Sequence, residues 1–299
     1  MPDESHPKPD AVRLQRHLAA IAKPRDPFAN FETLQEIQSY IERELCSYGY
    51  ETRKDPFQFQ GREFENLIAY IPSGRLPRNP QSESRHEEPS RFIIGSHFDA
   101  VPGTDGADDN ASGMAALLEA ARLLAGTHAA RRIDFLAFNL EEYGMIGSSH
   151  FVAGLKTPGA KSAGMISLEM VGFTSQEKGS QKMPLVLRPF YPDVGNFLAL
   201  VGDTSSKDLL KKAKPEFQKV SGLAVETLSV PAKGWIFPET RLSDHSPFWD
   251  AGIPALLVTD TSFFRNPHYH TPADRVETLN LEFLARVTED VVHFALSLE

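Results

Sequence analysis

Residues 131–147, RRIDFLAFNLEEYGMIG, decide the fold. Two basic residues lead into an apolar segment at 133–140, two adjacent carboxylates follow, Glu141 and Glu142, and Gly144 breaks the run. An apolar run of this length closed by a turn signal reads as a buried strand of a parallel sheet. In open α/β sheets, ligands sit outside the carboxyl ends of the strands, so the glutamate pair stands where chemistry is expected. Neighbouring side chains on an extended segment point in opposite directions. One carboxylate can then bind a metal while the other holds a water; the reading assigns Glu142 to the metal and Glu141 to the water. The remaining ligands must come from other parts of the chain.

Working outward, residues 91–96 form a short apolar strand ending in His97-Phe98-Asp99, and 100–109 is a loop rich in glycine and aspartate. Residues 111–124 read as a helix with Met114, Leu117, Leu118, Ala121 and Leu124 on one face. After the central strand come a short helix at 145–155 and a second buried strand at 163–170, which carries Glu169 near its end. Residues 172–196 are irregular, 209–220 helical, 224–229 a strand, and 231–246 a long loop. A strand at Ala255–Thr259, the loop SFFRNPHYHTPAD and a helix at 281–298 close the chain. On the N-terminal side, Ala11–Ile21 and residues 31–48 read as amphipathic helices. The second has Leu34, Ile37, Ile41 and Leu45 at helical spacing, with Gly49 as terminator. Residues 51–60 and 62–71 form two strands turning at Gly61. The polar, proline-rich stretch at 72–90 is a surface loop in which His86 is solvated.

Strands alternating with helices from residue 91 onward predict a three-layer α/β/α fold around a mostly parallel twisted sheet. The N-terminal hairpin should add antiparallel strands at one edge. Neither a repeat nor a linker interrupts the pattern, so residues 1–299 are expected to form one domain.

Composition narrows the function. The net charge of −9 comes without a basic tract, which argues against a nucleic-acid partner. A single cysteine, Cys46, permits no intrachain disulfide and reads as a small buried hydrophobe in a helix. The N-terminus lacks a continuous apolar core of the signal-peptide kind, and no segment approaches about 18 uninterrupted apolar residues, so no membrane span is expected. The expected compartment is the cytoplasm.

Candidate ligands then fall at the ends of strands: His97, Glu142 and Glu169, with His270 in the loop after the last strand and Asp109 at a helix start. Imidazole and carboxylate together suit zinc, and manganese or cobalt less selectively. Each residue has an ordinary alternative when taken singly. A lone histidine can be a hydrogen-bonded structural residue, Asp109 a helix cap, and either glutamate a solvated charge.

The segments GSHFDAVPGTDGADDNASG, NLEEYGMIGS, SLEM, SDHSPFWDAGIPAL and RNPHYHTPAD together resemble the co-catalytic di-zinc aminopeptidases of metallopeptidase family 28, relatives of glutamate carboxypeptidase and glutaminyl cyclase. The resemblance runs from about residue 91 to the C-terminus. It implies that His97 and Glu169 hold one zinc and Glu142 and His270 the other, with Asp109 bridging both. His268 is the rival for the place of His270, which directly precedes Thr-Pro-Ala-Asp. Asp109 rather than Asp108 matches the bridge because it directly precedes Asn-Ala-Ser-Gly. Asp99 would fix the His97 imidazole from behind, and Glu141 would serve as general base toward a water activated by the metals. Asp244 and His245 match a Ser-Asp-His segment that orients the site or substrate. The resemblance also implies a cis peptide bond after the bridging aspartate, here Asp109–Asn110.

Two departures stand out. Many family members carry aspartate where this chain has Glu169, which leaves one zinc or two open. Some relatives place an oxyanion-binding tyrosine shortly before Ser-Asp-His, where this chain has Arg241, either a cationic donor or half of a structural ion pair. The implied activity is an aminopeptidase cutting peptides with a free N-terminus, with Phe190, Tyr191, Trp235 and Phe237 available to line an apolar pocket or to pack a lid. A single-zinc cyclase or another amide hydrolase is the alternative on the same fold. A receptor-like protein without catalysis is a third, disfavoured because all five ligand positions and the base are present.

Overall fold

The computed structural model describes residues 8–71, 91–125, 127, 132–155, 162–219 and 221–298. The surface loop expected at 72–90, with His86, lies outside the described residues.

Among the described residues, eight strands form one sheet: β1 (Glu51–Phe59), β2 (Arg62–Tyr70), β3 (Arg91–His97), β4 (Ile133–Phe138), β5 (Ser162–Glu169), β6 (Phe197–Asp203), β7 (Ala224–Val230) and β8 (Ala255–Thr259). Their order is β1-β2-β4-β3-β5-β8-β6-β7. The central four, β4-β3-β5-β8, are mutually parallel. The N-terminal hairpin joins at one edge, with β2 antiparallel to β4 as the sequence predicts. The opposite edge departs from the expectation. There β6 runs antiparallel to β8 and carries β7 parallel to itself, so the sheet is mixed on both sides of its parallel centre. Strand β6 is absent from the sequence reading altogether.

Among the described residues, seven α-helices cover the two faces: α1 (Ala11–Ile21), α2 (Phe31–Ser47), α3 (Gly113–Leu124), α4 (Ile146–Leu155), α5 (Lys207–Lys219), α6 (Ser246–Asp250) and α7 (Leu281–Leu296). Helices α1, α2, α3, α5 and α7 enclose the larger apolar core, centred on α3, which buries every residue except Arg122. The smaller core on the other face joins Phe151 and Val152 of α4 and Phe248 and Trp249 of α6 to the sheet. Strands β3 and β4, covered on both faces, read as continuous apolar runs for that reason.

Local sequence sets the helix limits. Asp10 accepts a hydrogen bond from the Val12 N–H at 2.8 Å and caps α1. Gly49, at φ +93°, ends the chain's course through α2. The buried stripe of α2 is Leu34, Ile37, Ile41 and Leu45. Cys46, one position further, is rotated off that stripe and is exposed, which corrects the expectation of a buried thiol. Among the described residues no helix is long and apolar enough to cross a membrane.

Candidate metal centre and its cleft

Two neighbouring parallel strands deliver the first side chains: His97 is the last residue of β3 and Glu169 the last of β5. Asp109 lies in an irregular turn, Ala107–Ser112, that leads into α3, and the Asp109–Asn110 peptide bond is cis as expected. It is Asn110, not Asp109, that serves the helix start. Its Oδ1 accepts from the N–H groups of Gly113 and Met170, both at 3.1 Å, and its Nδ2 donates to the Leu168 carbonyl at 2.8 Å. The turn is thereby tied to the end of β5. Gly113 is required by the closeness of this packing: a Cβ there would stand 2.6 Å from the Leu168 carbonyl and 2.7 Å from Ser96 Oγ.

The glutamate pair is held differently from the sequence reading. Strand β4 stops at Phe138, and Leu140 turns at φ +58°, so alternation along an extended segment does not reach Glu141 and Glu142. They sit in a turn whose backbone is held by Asp99. One Asp99 oxygen accepts from the Glu141 N–H at 3.1 Å, the other from the Glu142 N–H at 3.2 Å. The same carboxylate lies 3.4 Å from His97 Nδ1. One side chain therefore fixes both glutamates and stands behind the imidazole. Leu140, Met170 (φ +48°) and His270 (φ +57°) all hold left-handed backbone beside the site, at a cost of about 1–3 kcal/mol each that the surrounding hydrogen bonds must offset.

These elements bring the five predicted ligands into two groups that share Asp109. His97 Nε2 is 3.3 Å from Asp109 Oδ1 and 3.3 Å from Glu169 Oε2. His270 Nε2 is 3.0 Å from Asp109 Oδ2 and 3.3 Å from Glu142 Oε2. Within each group, His97–Asp109–Glu169 and Asp109–Glu142–His270, the ligand atoms all lie within 4.8 Å of one another. Glu141 belongs to neither group, although its Oε2 is 3.9 Å from His97 Nε2.

The residues fit a pair of divalent cations. Among the described residues, both ring nitrogens of His97 and Glu142 Oε1 are buried without a hydrogen-bond partner, a costly condition that coordination would relieve. The donor set of imidazole and carboxylate suits zinc. Electrostatics point the same way. Burial alone would lower the His97 imidazole, yet the surrounding carboxylates, Glu169 and Glu141 foremost, hold it well above its ordinary value. Burial, together with neighbouring acids, pushes Glu142 up to about 7 and Glu141 well above the usual carboxylate range. Asp109 is held low against its burial by the two histidines. Negative charge at the site thus exceeds what its own histidines neutralise.

The other predicted residues divide. Asp244 is fully buried, and its carboxyl is pushed up to about 7, by burial first, while His97 draws it down. His245 faces elsewhere: its Nε2 is 2.8 Å from the Thr240 carbonyl, and its ring meets Trp249 edge-on. The Arg241 guanidinium pairs with Asp250 at 2.7 Å, donates to the Lys233 carbonyl at 2.6 Å and lies over Trp235, which is the structural ion pair of the two alternatives. His268 turns its ring toward Phe173 and joins neither ligand group. Asp108 points away from the ligands, accepting from Gly172 N–H at 3.0 Å and Asn266 Nδ2 at 2.7 Å.

Sequence reasoning missed the support that comes from the connection between α1 and α2. Arg25 is fully buried, and its guanidinium donates to the backbone carbonyls of Phe98 (2.7 Å), Asp105 (2.5 Å) and Gly106 (2.8 Å), clamping the segment that runs from His97 to Asp109. Next to it, Asp26 accepts from the Tyr143 hydroxyl at 2.5 Å and so holds the glutamate turn. Asp274 accepts from the N–H groups of Asp108 and Asp109. Arg25 and Asp26 carry no motif, and the partners of Arg25 are backbone carbonyls, which leave no mark on sequence spacing. Asp274 is the aspartate of the Thr-Pro-Ala-Asp segment, but its spacing does not reveal that it holds the Asp108 and Asp109 N–H groups.

A cavity of 310 Å³ opens from the ligand groups across the sheet face of β8, β6 and β7. Its walls are mainly apolar, with Phe197, Val201, Leu228 and Leu257 from the strands. Tyr191 and Phe237 also line the cavity, which is the first of the two alternatives for the aromatic loops. Phe190 and Trp235 do not line it; they are exposed at 77% and 64%.

Similarity to known peptidases assigns this sheet, with its paired histidine–carboxylate groups and adjoining cleft, to the class of metallo-exopeptidases. The family model for peptidase family M28 matches residues 79–295, and the chain belongs to that family. Uncharacterized protein YfbL of Escherichia coli (strain K12) is 32% identical over 96% of this chain and 87% of its own length. The zinc aminopeptidase BSAP of Bacillus subtilis superposes with a TM-score of 0.57 at 28% identity, over 79% of this chain but only 50% of its own. Glutaminyl cyclase of Porphyromonas gingivalis shares the fold, with a TM-score of 0.68 at 19% identity over 95% of each chain.

Proposed function

We propose that this protein is a zinc aminopeptidase that hydrolyses the first peptide bond of substrates with a free N-terminus, using two metal ions and Glu141 as general base. The observation that carries the reading is the placement of Asp109, whose two oxygens face two different histidine–carboxylate groups. In this reading His97, Asp109 and Glu169 hold one zinc, and Asp109, Glu142 and His270 the other. When bound, the ions supply Lewis acidity to water and to the substrate carbonyl.

The chain's own residues do the rest. Glu141 stands outside both ligand groups, so its carboxylate remains free to take the proton of the attacking water and to pass it to the departing amine. The Asp99 bridge to the Glu141 and Glu142 N–H groups keeps that base in register with the ligands. Tyr191 and Phe237, on the apolar side, exclude solvent from the bound residue.

The test is Glu141→Gln, with metal content measured beside turnover of aminoacyl-anilides. Turnover should fall by about 10²–10⁴-fold while two zinc ions per chain remain. Full activity in the variant would remove Glu141 from its role. A single zinc per chain, with turnover of glutaminyl peptides in place of anilides, would favour the cyclase alternative, which the shared fold keeps in view.

A further inference from the structure

We infer that the cleft selects an N-terminal residue with a long aliphatic stem and a cationic head, lysine or arginine, and that Glu226 is the residue that recognises the charge. The inference deepens the aminopeptidase reading and rests on it.

The strand register carries the argument. Glu169 of β5 pairs with Thr259 of β8, Thr259 pairs with Ala199 of β6, and Ala199 pairs with Glu226 of β7. Paired residues in a sheet project to the same face, and all four of these line the cavity. They form one straight row across four strands, with a candidate metal ligand at one end and a second carboxylate at the other. With strands about 4.8 Å apart, the Cα atoms at the two ends are roughly 14 Å from each other. The two residues between them, Thr259 and Ala199, are short, and the row becomes the floor of a trough. Phe197, Val201, Leu228 and Leu257 make its sides apolar.

Glu226 is half-buried at the far end, and among the described residues its carboxylate has no hydrogen-bond or ion-pair partner. The nearby Tyr191 hydroxyl is already engaged, donating to the Thr227 carbonyl at 2.8 Å. An unpaired carboxylate closing an apolar trough, with Glu239 a second acid on the cavity wall, suits a side chain that buries methylenes and presents a charge at its tip. The lengths agree. A lysine or arginine head lies roughly 6–7 Å from its Cα, and a glutamate carboxylate about 4 Å from its own. Subtracting both, and about 2.8 Å for the contact between head and carboxylate, leaves the substrate Cα roughly at the Glu169 end of the row, beside the candidate ligands. A leucine side chain in the same position stops short of Glu226.

The test compares ligands that differ only in the charge. Binding of L-lysinamide and of L-norleucinamide, which has the same stem without the ammonium, is measured by calorimetry on the zinc-loaded enzyme. Hydrolysis of the corresponding anilides is followed in parallel. The wild type should prefer the lysine ligand, and Glu226→Gln should lower the lysine-to-norleucine ratio by about ten- to a hundredfold, the range of a charge-assisted hydrogen bond, with its melting temperature unchanged. A wild type without the preference, or a ratio that the variant leaves where it was, overturns the assignment. If no anilide is cleaved while lysinamide binds by way of Glu226, the aminopeptidase reading fails and the trough assignment stands.

Discussion

Two histidines in this molecule are equally buried and behave in opposite ways. His17 on α1 and His97 at the end of β3 are both 0% exposed. His17 sits among phenols, with Nδ1 2.7 Å from the Tyr40 hydroxyl and Nε2 3.5 Å from the Tyr48 hydroxyl, and burial lowers it to about 4. His97 sits among carboxylates, which lift it well above its ordinary value against the same burial. Low dielectric disfavours the charged form in both places; the neighbours decide the outcome. Around α1 and α2 a neutral ring completes the packing. At the strand ends, acids are gathered more densely than packing requires, and the arrangement makes sense as a receptacle for cations.

The contrast can be tested at three levels. The largest effect is expected from Arg25→Met, which removes the clamp on the segment between His97 and Asp109. Zinc affinity should fall by about 10–100-fold, as it does when outer-shell partners of metal ligands are lost, and Arg25→Lys should not restore it, since one ammonium cannot reproduce the guanidinium's fan of bonds to separate carbonyls. Competition against a chelator measures this; unchanged affinity would mean that the ligand loop holds itself.

The second level is acid stability. His17 has a folded-state value of about 4, below the ordinary 6.5. The unfolded chain therefore binds the proton first, and this group's contribution is lost as pH falls from about 6.5 to about 4, by at most about 3 kcal/mol. Urea unfolding of the wild type and of His17→Gln across that window should converge toward low pH. If the two curves stay parallel, the ring is not held neutral in the fold. The smallest effect is expected from Tyr40→Phe, about 1 kcal/mol of stability for one buried hydrogen bond, with zinc affinity unaltered. A change in affinity would show that the two regions are linked.

Much of this was legible in the sequence. Helix α1 and strand β8 fall where hydrophobic spacing and breakers put them, and the five candidate positions, picked out by their strand-end places and by ordered motifs that resemble those of a known family, come together in two groups. What escaped has physical reasons. The run Phe197–Val201 is uniformly apolar and has no alternation to tell a sandwiched strand from a piece of buried helix, so β6 and its reversal of the sheet went unseen. The position of the Glu141–Glu142 pair depends on a left-handed turn at Leu140, a residue that nothing in its type marks for that conformation. Cys46 was misplaced by one helical position, which is enough to move a side chain from core to solvent.

Arg25 and Asp26 have one more implication. They stand well before residue 79, where the family model's match begins, yet they brace both the loop between His97 and Asp109 and the turn that carries Glu141 and Glu142. The segment that the family model matches and the residues that brace the site are therefore not coextensive. The matched segment holds the candidate ligands, while part of the authority over their alignment resides in an unremarkable bend between two opening helices.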